Sequence, residues 1–357
     1  MDSQKIKKII DAAIQAPSGD NVQPWKLELA RDFGRLDIYN LPDLDTSYYN
    51  YRQAAAYVAH GALLENITIA SRHLGCCLSL HLFPTKDNPD HIATITFAEA
   101  EPQLDELYET IFRRSTNRFS FQKSRMAVED RQRLLSTVQN IEGVNGYLFD
   151  DDLTIQKLAK ILMVNDQLVF ERSDIHRFLF GQIRWTRQEI ETSQDGMPVD
   201  VLGLSAIEKI FFPLMRHWWF VQAANYLGLS KIIGLKCWSN LRSSSLIGQL
   251  TVKKYDRLAF IQAGRALQRV WLEATRQGLA FQPIVGLPLL AYRAKENALT
   301  DFSAEHRQIV IDAEKQVRSL LGLDSTEEWL VGFRIGQGRM TRSKTPRRKL
   351  LQFQQIS

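Results

Sequence analysis

The sequence predicts an α+β chain made of two fused halves. Three observations carry that expectation. Segments with helical apolar spacing are interspersed with short runs that alternate apolar and polar residues, so both element types are expected. A short internal repeat sets Gly61, Leu64 and Gly75 against Gly264, Leu267 and Gly278, each pair 203 positions apart. Each half also opens on a helical segment of similar length, residues 5–16 and 129–140, that leads to a strand.

Taken in order, Ile6, Ile9, Ile10, Ala13 and Ile14 recur at helical spacing, and residues 17–21 stop that helix. Strands are expected at 26–30 and 36–40. An aromatic and polar link at 48–53 enters a long helix from about 54 to 74, closed by Gly75. Alternation predicts strands at 78–83 and 92–97, then a helix at 105–112 and a charged turn at 113–118. A helix at 128–138, a strand near 146–149 and helices from 154 to about 191 follow, with a turn at 195–198. Residues 205–240 read as mostly helical and rich in aromatic residues. A strand at 245–252, a long helix at 256–277, another at 304–321 and a strand at 329–335 complete the chain.

With 357 residues, 45% hydrophobic and 24% charged, the chain is large enough to bury a core without staples. Cys76, Cys77 and Cys237 form neither a disulfide framework nor a zinc-binding pattern, and a reducing, cytoplasmic setting is expected. The first residues lack the apolar core of a signal peptide. The most apolar stretch, residues 210–227, is interrupted by Arg216 and His217, so a buried or lid-forming helix is expected rather than a membrane span. The net charge of +5 is local: seven cations lie between Arg334 and Lys349, and without them the chain carries −2. Such a cluster suits a local anion better than a nucleic-acid stripe. The seven histidines show no metal-ligand pairing, and His60 and His73 are expected at the surface or the core edge.

Four segments carry polar chemistry. At residues 16–25 a helix end runs into a small polar turn and an extended exit before proline. The turn gathers the Ser18 hydroxyl, the Asn21 carboxamide and free backbone N–H groups, which suit the edge of a planar heterocycle or simply a helix stop. At 114–118, alternation puts Arg114, Thr116 and Arg118 on one face, able to close on one phosphate. The same residues could instead be two solvated arginines about a helix cap. Residues 345–350 form a basic tail that follows a strand directly. Residues 278–286 form a glycine-bounded loop that lets backbone approach a ligand closely, or a plain helix-to-strand connection.

Together with residues 195–205, these segments resemble the nitroreductase flavoprotein superfamily, and within it the tandem, Acg-like branch. The segments are APSGDNVQPW, RRSTNR, DGMPVDVLGLS, GLAFQPIVG and TPRRKL, in the family's order. The resemblance implies two fused nitroreductase-like halves, with mixed or antiparallel sheets flanked by helices in a pseudo-dimer. The halves would be residues 1–104, shortened, and 105–350, the second carrying a helical lid insertion at about 168–240, before a tail at 351–357. It implies one FMN, with NAD(P)H as transient reductant and a small electron-poor acceptor such as a nitroaromatic or quinone. Phosphate contacts are implied for Arg114, Thr116, Arg118 and Arg347 or Arg348. Ring-side contacts are implied for Pro17, Ser18, Asn21 and Gln23, with the backbone of Pro283, Ile284, Val285 and Gly286 beside them. No dedicated catalytic side chain, metal, nucleic acid or membrane is implied. A fused chain that assembles its site internally would work as a monomer. A holder of FMN with little turnover is the rival expectation.

Overall fold

The computed structural model describes residues 1–339 and 343–348. Helix α1 (Ser3–Ala13) starts where the Asp2 side chain accepts from Gln4 N, and buries Ile6, Ile9 and Ile10. Strands β1 (Trp25–Leu29) and β2 (Arg35–Asn40) form a hairpin. Helix α2 (Ala54–His73), with most of its residues buried, leads through Gly75 to β3 (Cys76–Leu82) and β4 (His91–Glu99). These four strands form an antiparallel sheet in the order β1-β2-β4-β3.

After the short α3 (Tyr108–Arg113) the pattern repeats. Helix α4 (Val128–Gln139) leads to β5 (Val144–Phe149). An insertion follows: α5 (Asp152–Leu162), α6 (Val164–Glu171), α7 (Ser173–Gly181), strand β6 (Ile183–Arg184), α8 (Arg187–Ser193), strand β7 (Met197–Pro198), α9 (Ala206–Phe211), α10 (Trp218–Asn225) and α11 (Leu229–Arg242). Strand β8 (Leu246–Val252), helix α12 (Arg257–Arg276) and β9 (Ala280–Ile284) come next. Helices α13 (Gly286–Lys295) and α14 (Ala304–Leu321) precede β10 (Glu328–Gly336). The second sheet runs β5-β8-β10-β9, the same order by position as the first. Each sheet also breaks register in its inner pair, β2 with β4 and β10 with β8. The fold is α+β, two fused halves with a helical insertion.

The halves meet where α2 crosses α12. A Cβ built on Gly61 would fall 2.0 Å from Ile261 O, and one built on Gly264 would fall 2.0 Å from Val58 O. The two glycines of the sequence repeat therefore face each other at the crossing, and glycine is required at both because backbone touches backbone. Beside them the buried Glu65 accepts from Arg265 Nε at 2.9 Å and Arg269 Nε at 2.5 Å, and Gln268 Nε2 donates to Asn66 Oδ1 at 2.7 Å. One hydrophobic core runs through both halves, and a second lies between the insertion, α13, α14 and the second sheet.

Three expectations change. The helical stretch at 154–191 is interrupted near its end by a strand, where β6 pairs in parallel with residues 197–198. The glycine-bounded loop at 278–286 is a strand, β9, paired with β10 (Gly332 opposite Ile284), and Val285 begins a helix that the sequence reading left out. His60 is 0% exposed rather than at the core edge, with Nε2 at 3.2 Å from Asn40 Oδ1. The expected tail at 351–357, with Arg342, Lys349 and Leu350, lies outside the described residues. No helix among the described residues is long and apolar enough to cross a membrane.

Candidate functional site

The turn after α1 departs from ordinary backbone geometry: Asp20, Asn21 and Gln23 have φ of 44°, 60° and 52°. Ser18 Oγ accepts from Gln23 N at 2.9 Å and closes the turn, while Pro17 and Ser18 stay half-buried. That geometry turns Asn21 and Gln23 inward, where they are 5% and 1% exposed. Asn21 Nδ2 donates to Gly196 O and Pro346 O, both at 3.0 Å. Gln23 Nε2 donates to Gln194 O at 2.9 Å, and its Oε1 accepts from Arg348 N at 2.9 Å.

The arginine turn is held beside β9. Asn117 N donates to Phe281 O at 2.8 Å, and Thr116 bridges Phe281 in parallel. Arg114 leaves the end of α3 and is 7% exposed. Its guanidinium stacks 4.3 Å from the centre of a Trp271 ring, and its Nη2 donates to Gln15 O at 2.7 Å. Arg347 reaches the same carbonyl from the basic tail, Nη2 to Gln15 O at 3.2 Å, and donates from Nη1 to Asn21 Oδ1 at 2.8 Å. Arg348 Nη2 pairs with Asp195 Oδ2 at 2.8 Å.

Two guanidinium groups thus converge on one main-chain oxygen. Neither has a carboxylate partner among the described residues, and the Nε of each is buried without an acceptor. Burial, and then the charge of Arg347, holds Arg114 well below the usual guanidinium range. Burial alone pushes Arg347 down to about 10. Buried charge without a counter-charge is costly, and an anion bound between the two would relieve both. The chemistry of this donor set fits a phosphate.

Arg118 turns to different neighbours. It donates to Val201 O at 3.1 Å and approaches Met197 Sδ at 3.4 Å, both in the insertion. Burial lowers it, while Asp20 and Asp166 act to raise it. Burial and then Asp45 push Asp20 up to about 6. Nearby, Asn165 Oδ1 is buried without a partner, and a Cβ on Gly286 would fall 2.4 Å from that oxygen. The Asp20 turn, the arginine turn, α6 and the start of α13 therefore meet around a polar interior with an unsatisfied oxygen.

The structure brings Asn21, Gln23, Arg114, Arg347 and Arg348 together directly, and Thr116 with the β9 strand that carries Pro283 and Ile284. Arg114 and Arg118 have separate partners. Gln15, Trp271, Tyr49, Asn165 and Asp195 complete the surroundings. No pattern marks Gln15, because only its main-chain oxygen takes part. Arg334, one of the seven clustered cations, is 0% exposed and donates to Gln282 Oε1, Asn240 O and Phe119 O, so it ties the structure together.

No family model matches the chain. It is 26% identical over 314 residues to the "Uncharacterized protein MT1398" of Mycobacterium tuberculosis, covering 87% of this chain but 43% of that protein. It is 27% identical over 280 residues to the "Putative NAD(P)H nitroreductase acg" of the same organism, covering 77% of this chain and 78% of the other. Among solved structures, the FMN-dependent nitroreductase NfnB from Mycobacterium smegmatis, in complex with NADPH, matches at 13% identity and a TM-score of 0.39, over 71% of this chain and 98% of that one. By sequence, then, the chain is similar to proteins described as putative NAD(P)H nitroreductases.

Proposed function

We propose that the chain binds one FMN where its halves meet and serves as an NAD(P)H-dependent oxidoreductase acting on small electron-poor acceptors such as nitroaromatics or quinones. The observation that carries this is the pair of buried guanidinium groups, Arg114 and Arg347, facing Gln15 O with no carboxylate between them. In this reading they hold the phosphate, with Thr116, Arg118 and Arg348 as further candidates. Pro17, Ser18, Asn21 and Gln23 would contact the ring, with the backbone of Pro283, Ile284, Val285 and Gly286 as further candidates. FMN held by these residues would supply two-electron redox chemistry between NAD(P)H, which would leave as NAD(P)⁺, and the acceptor. Positive charge and backbone N–H groups beside the ring favour its reduced form, so no dedicated side-chain base is required.

One observation favours the rival, a holder of FMN with little turnover. The Asn21–Gln23 turn is covered twice, by residues 194–196 of the insertion and by residues 345–348 of the tail. If this cover stays shut, reductant and acceptor stay out.

Replacing both arginines, Arg114→Gln with Arg347→Gln, should weaken FMN affinity by on the order of 3 kcal/mol, since each loses a charge-assisted contact. The visible spectrum after dialysis measures it. A double variant that keeps its flavin refutes the phosphate assignment. Arg347→Gln alone, near the chain end, gives the same sign without disturbing α3. Anaerobic stopped-flow with NADH and NADPH separates the two readings, because flavin bleaching within seconds requires an open site.

A further inference from the structure

A second concave surface lies in the insertion, away from the arginine pair. It is a groove of about 800 Å³, walled by Phe180, Trp185, Trp218 and Trp219 and rimmed by Arg177 and Arg216. Its aromatic wall is continuous. His176 stacks on Phe180 at 4.2 Å and meets Trp218 at 5.1 Å, and Phe212 joins Phe180 to Trp185 at 5.3 and 5.4 Å. Trp185 carries a buried Nε1–H with no acceptor.

The charges at the groove are unbalanced. Its one acid, Glu189, accepts at Oε2 from Trp185 N at 2.6 Å and Thr186 N at 3.3 Å as part of a capping box, so it is held at the start of α8 and offsets one of the groove's cations. Arg184 is paired with Asp195 at 2.5 Å. Arg177 and Arg216 are exposed and have no carboxylate partner among the described residues; Arg216 lies 5.6 Å over the Trp185 ring. Aromatic faces and two guanidinium groups without carboxylate partners among the described residues match a flat ring that bears a negative charge.

The groove also shares a wall with the candidate site. Residues 183–198 fold as one unit whose β6 end and α8 line the groove, while Gln194, Asp195 and Gly196 contact Gln23, Arg348 and Asn21. Asp195 bridges the two sides, one oxygen on Arg184 and the other on Arg348. We propose that this groove recognises planar aromatic anions, with a carboxylate on the Arg177–Arg216 rim and the ring against the tryptophans. That it selects the electron acceptor rests on the redox reading above; the binding itself does not.

The experiment is calorimetric titration of the flavin-loaded protein with 4-nitrobenzoate, its neutral analogue 4-nitrobenzamide, and adenosine 2′,5′-bisphosphate. The carboxylate is expected to bind about tenfold more tightly than the amide, as two partly exposed ion pairs allow. Arg177→Gln with Arg216→Gln should bring the carboxylate to the level of the amide, and Trp219→Ala, at a 67% exposed position, should weaken both ligands. Equal binding of acid and amide, or an unchanged double variant, overturns the proposal. So does tight binding of the bisphosphate alone that the double variant abolishes, which would make the groove a nucleotide site. The visible spectrum of each preparation reports flavin content separately, so loss of flavin and loss of groove binding are told apart.

Discussion

The two sheets share strand order and an inner register break, yet they are buried differently. In β3 exposure alternates, with Cys76 buried, Cys77 exposed and so on to the end of the strand. In β8 and β10 every residue is buried. The connections make the difference. Five residues, 30–34, join β1 to β2, whereas residues 150–245 separate β5 from β8. Likewise residues 83–90 join β3 to β4, while α13 and α14 stand between β9 and β10. The added helices cover the outer face of the second sheet and bring the groove, the Asp195 bridge and Gly286 to the candidate site. A repeated frame with unequal connections thus lets the first half present a turn while the second adds the helices that enclose it.

The sharpest way to break this comparison is at the shared crossing. Gly61→Ala and Gly264→Ala should each cost about 3 kcal/mol or more, since each methyl would enter a main-chain oxygen of the opposite helix. Because both press on one contact, the double variant should cost less than the sum. Urea unfolding measures all three, and a loss below about 1 kcal/mol in either single variant would contradict so close an approach.

A position where the halves differ sharpens it further. His60 on α2 corresponds to Ala263 on α12 at the repeat spacing. Burial pushes His60 down to about 3 from an ordinary 6.5. Below pH 6.5 the unfolded chain takes up a proton that the folded chain refuses until about pH 3, so this residue makes stability fall as pH falls through that window, by at most about 1.4 kcal/mol per pH unit. Asp20, raised to about 6, acts the other way: its folded form holds a proton between about pH 4 and 6 that the unfolded chain has released, so its contribution is lost as pH rises. The difference between wild type and His60→Gln should therefore change steadily below pH 6.5. A pH-independent difference would remove the buried neutral histidine from the account.

The smallest effect tests the other repeated pair. Gly75 and Gly278 have φ of 74° and 73°, each just past the end of its long helix, so alanine strains both. Beside Gly278 there is open space, while a Cβ on Gly75 would lie 2.7 Å from Ala100 O. Gly278→Ala should cost about 1 kcal/mol, the price of left-handed geometry alone. Gly75→Ala should cost more, and thermal melts that rank them the other way would break the assignment.

The frame was legible because its signals are local. Helical spacing marks α1, α2, α12 and α14 to within a few residues, and alternation marks the strands of the first sheet. Helix α13 escaped because its sequence, GLPLLAYRAK, sets a proline near the start and its burial depends on the second core. The pair of β6 with β7 escaped because nothing in residues 154–191 announces a two-residue strand whose partner is Met197 and Pro198. His60 was placed too near the surface because a histidine on an apolar helix gives no sign of depth. Of the site, the sequence marked Asn21, Gln23, Arg114 and Arg347, but not the oxygen on which the arginines meet.

By itself, then, the sequence determined the α+β class, the repeated glycines and the clustering of cations. Each is written in residue identities and spacings along the chain, with no need of the packing. Tertiary structure alone decided that Gly61 meets Gly264, that Arg118 parts company with Arg114, and that Gln15 O receives guanidinium groups from 99 and 332 residues away. Such meetings follow from how two sheets pack across one pair of helices, and a side chain's reach is set by that packing rather than by its neighbours in sequence.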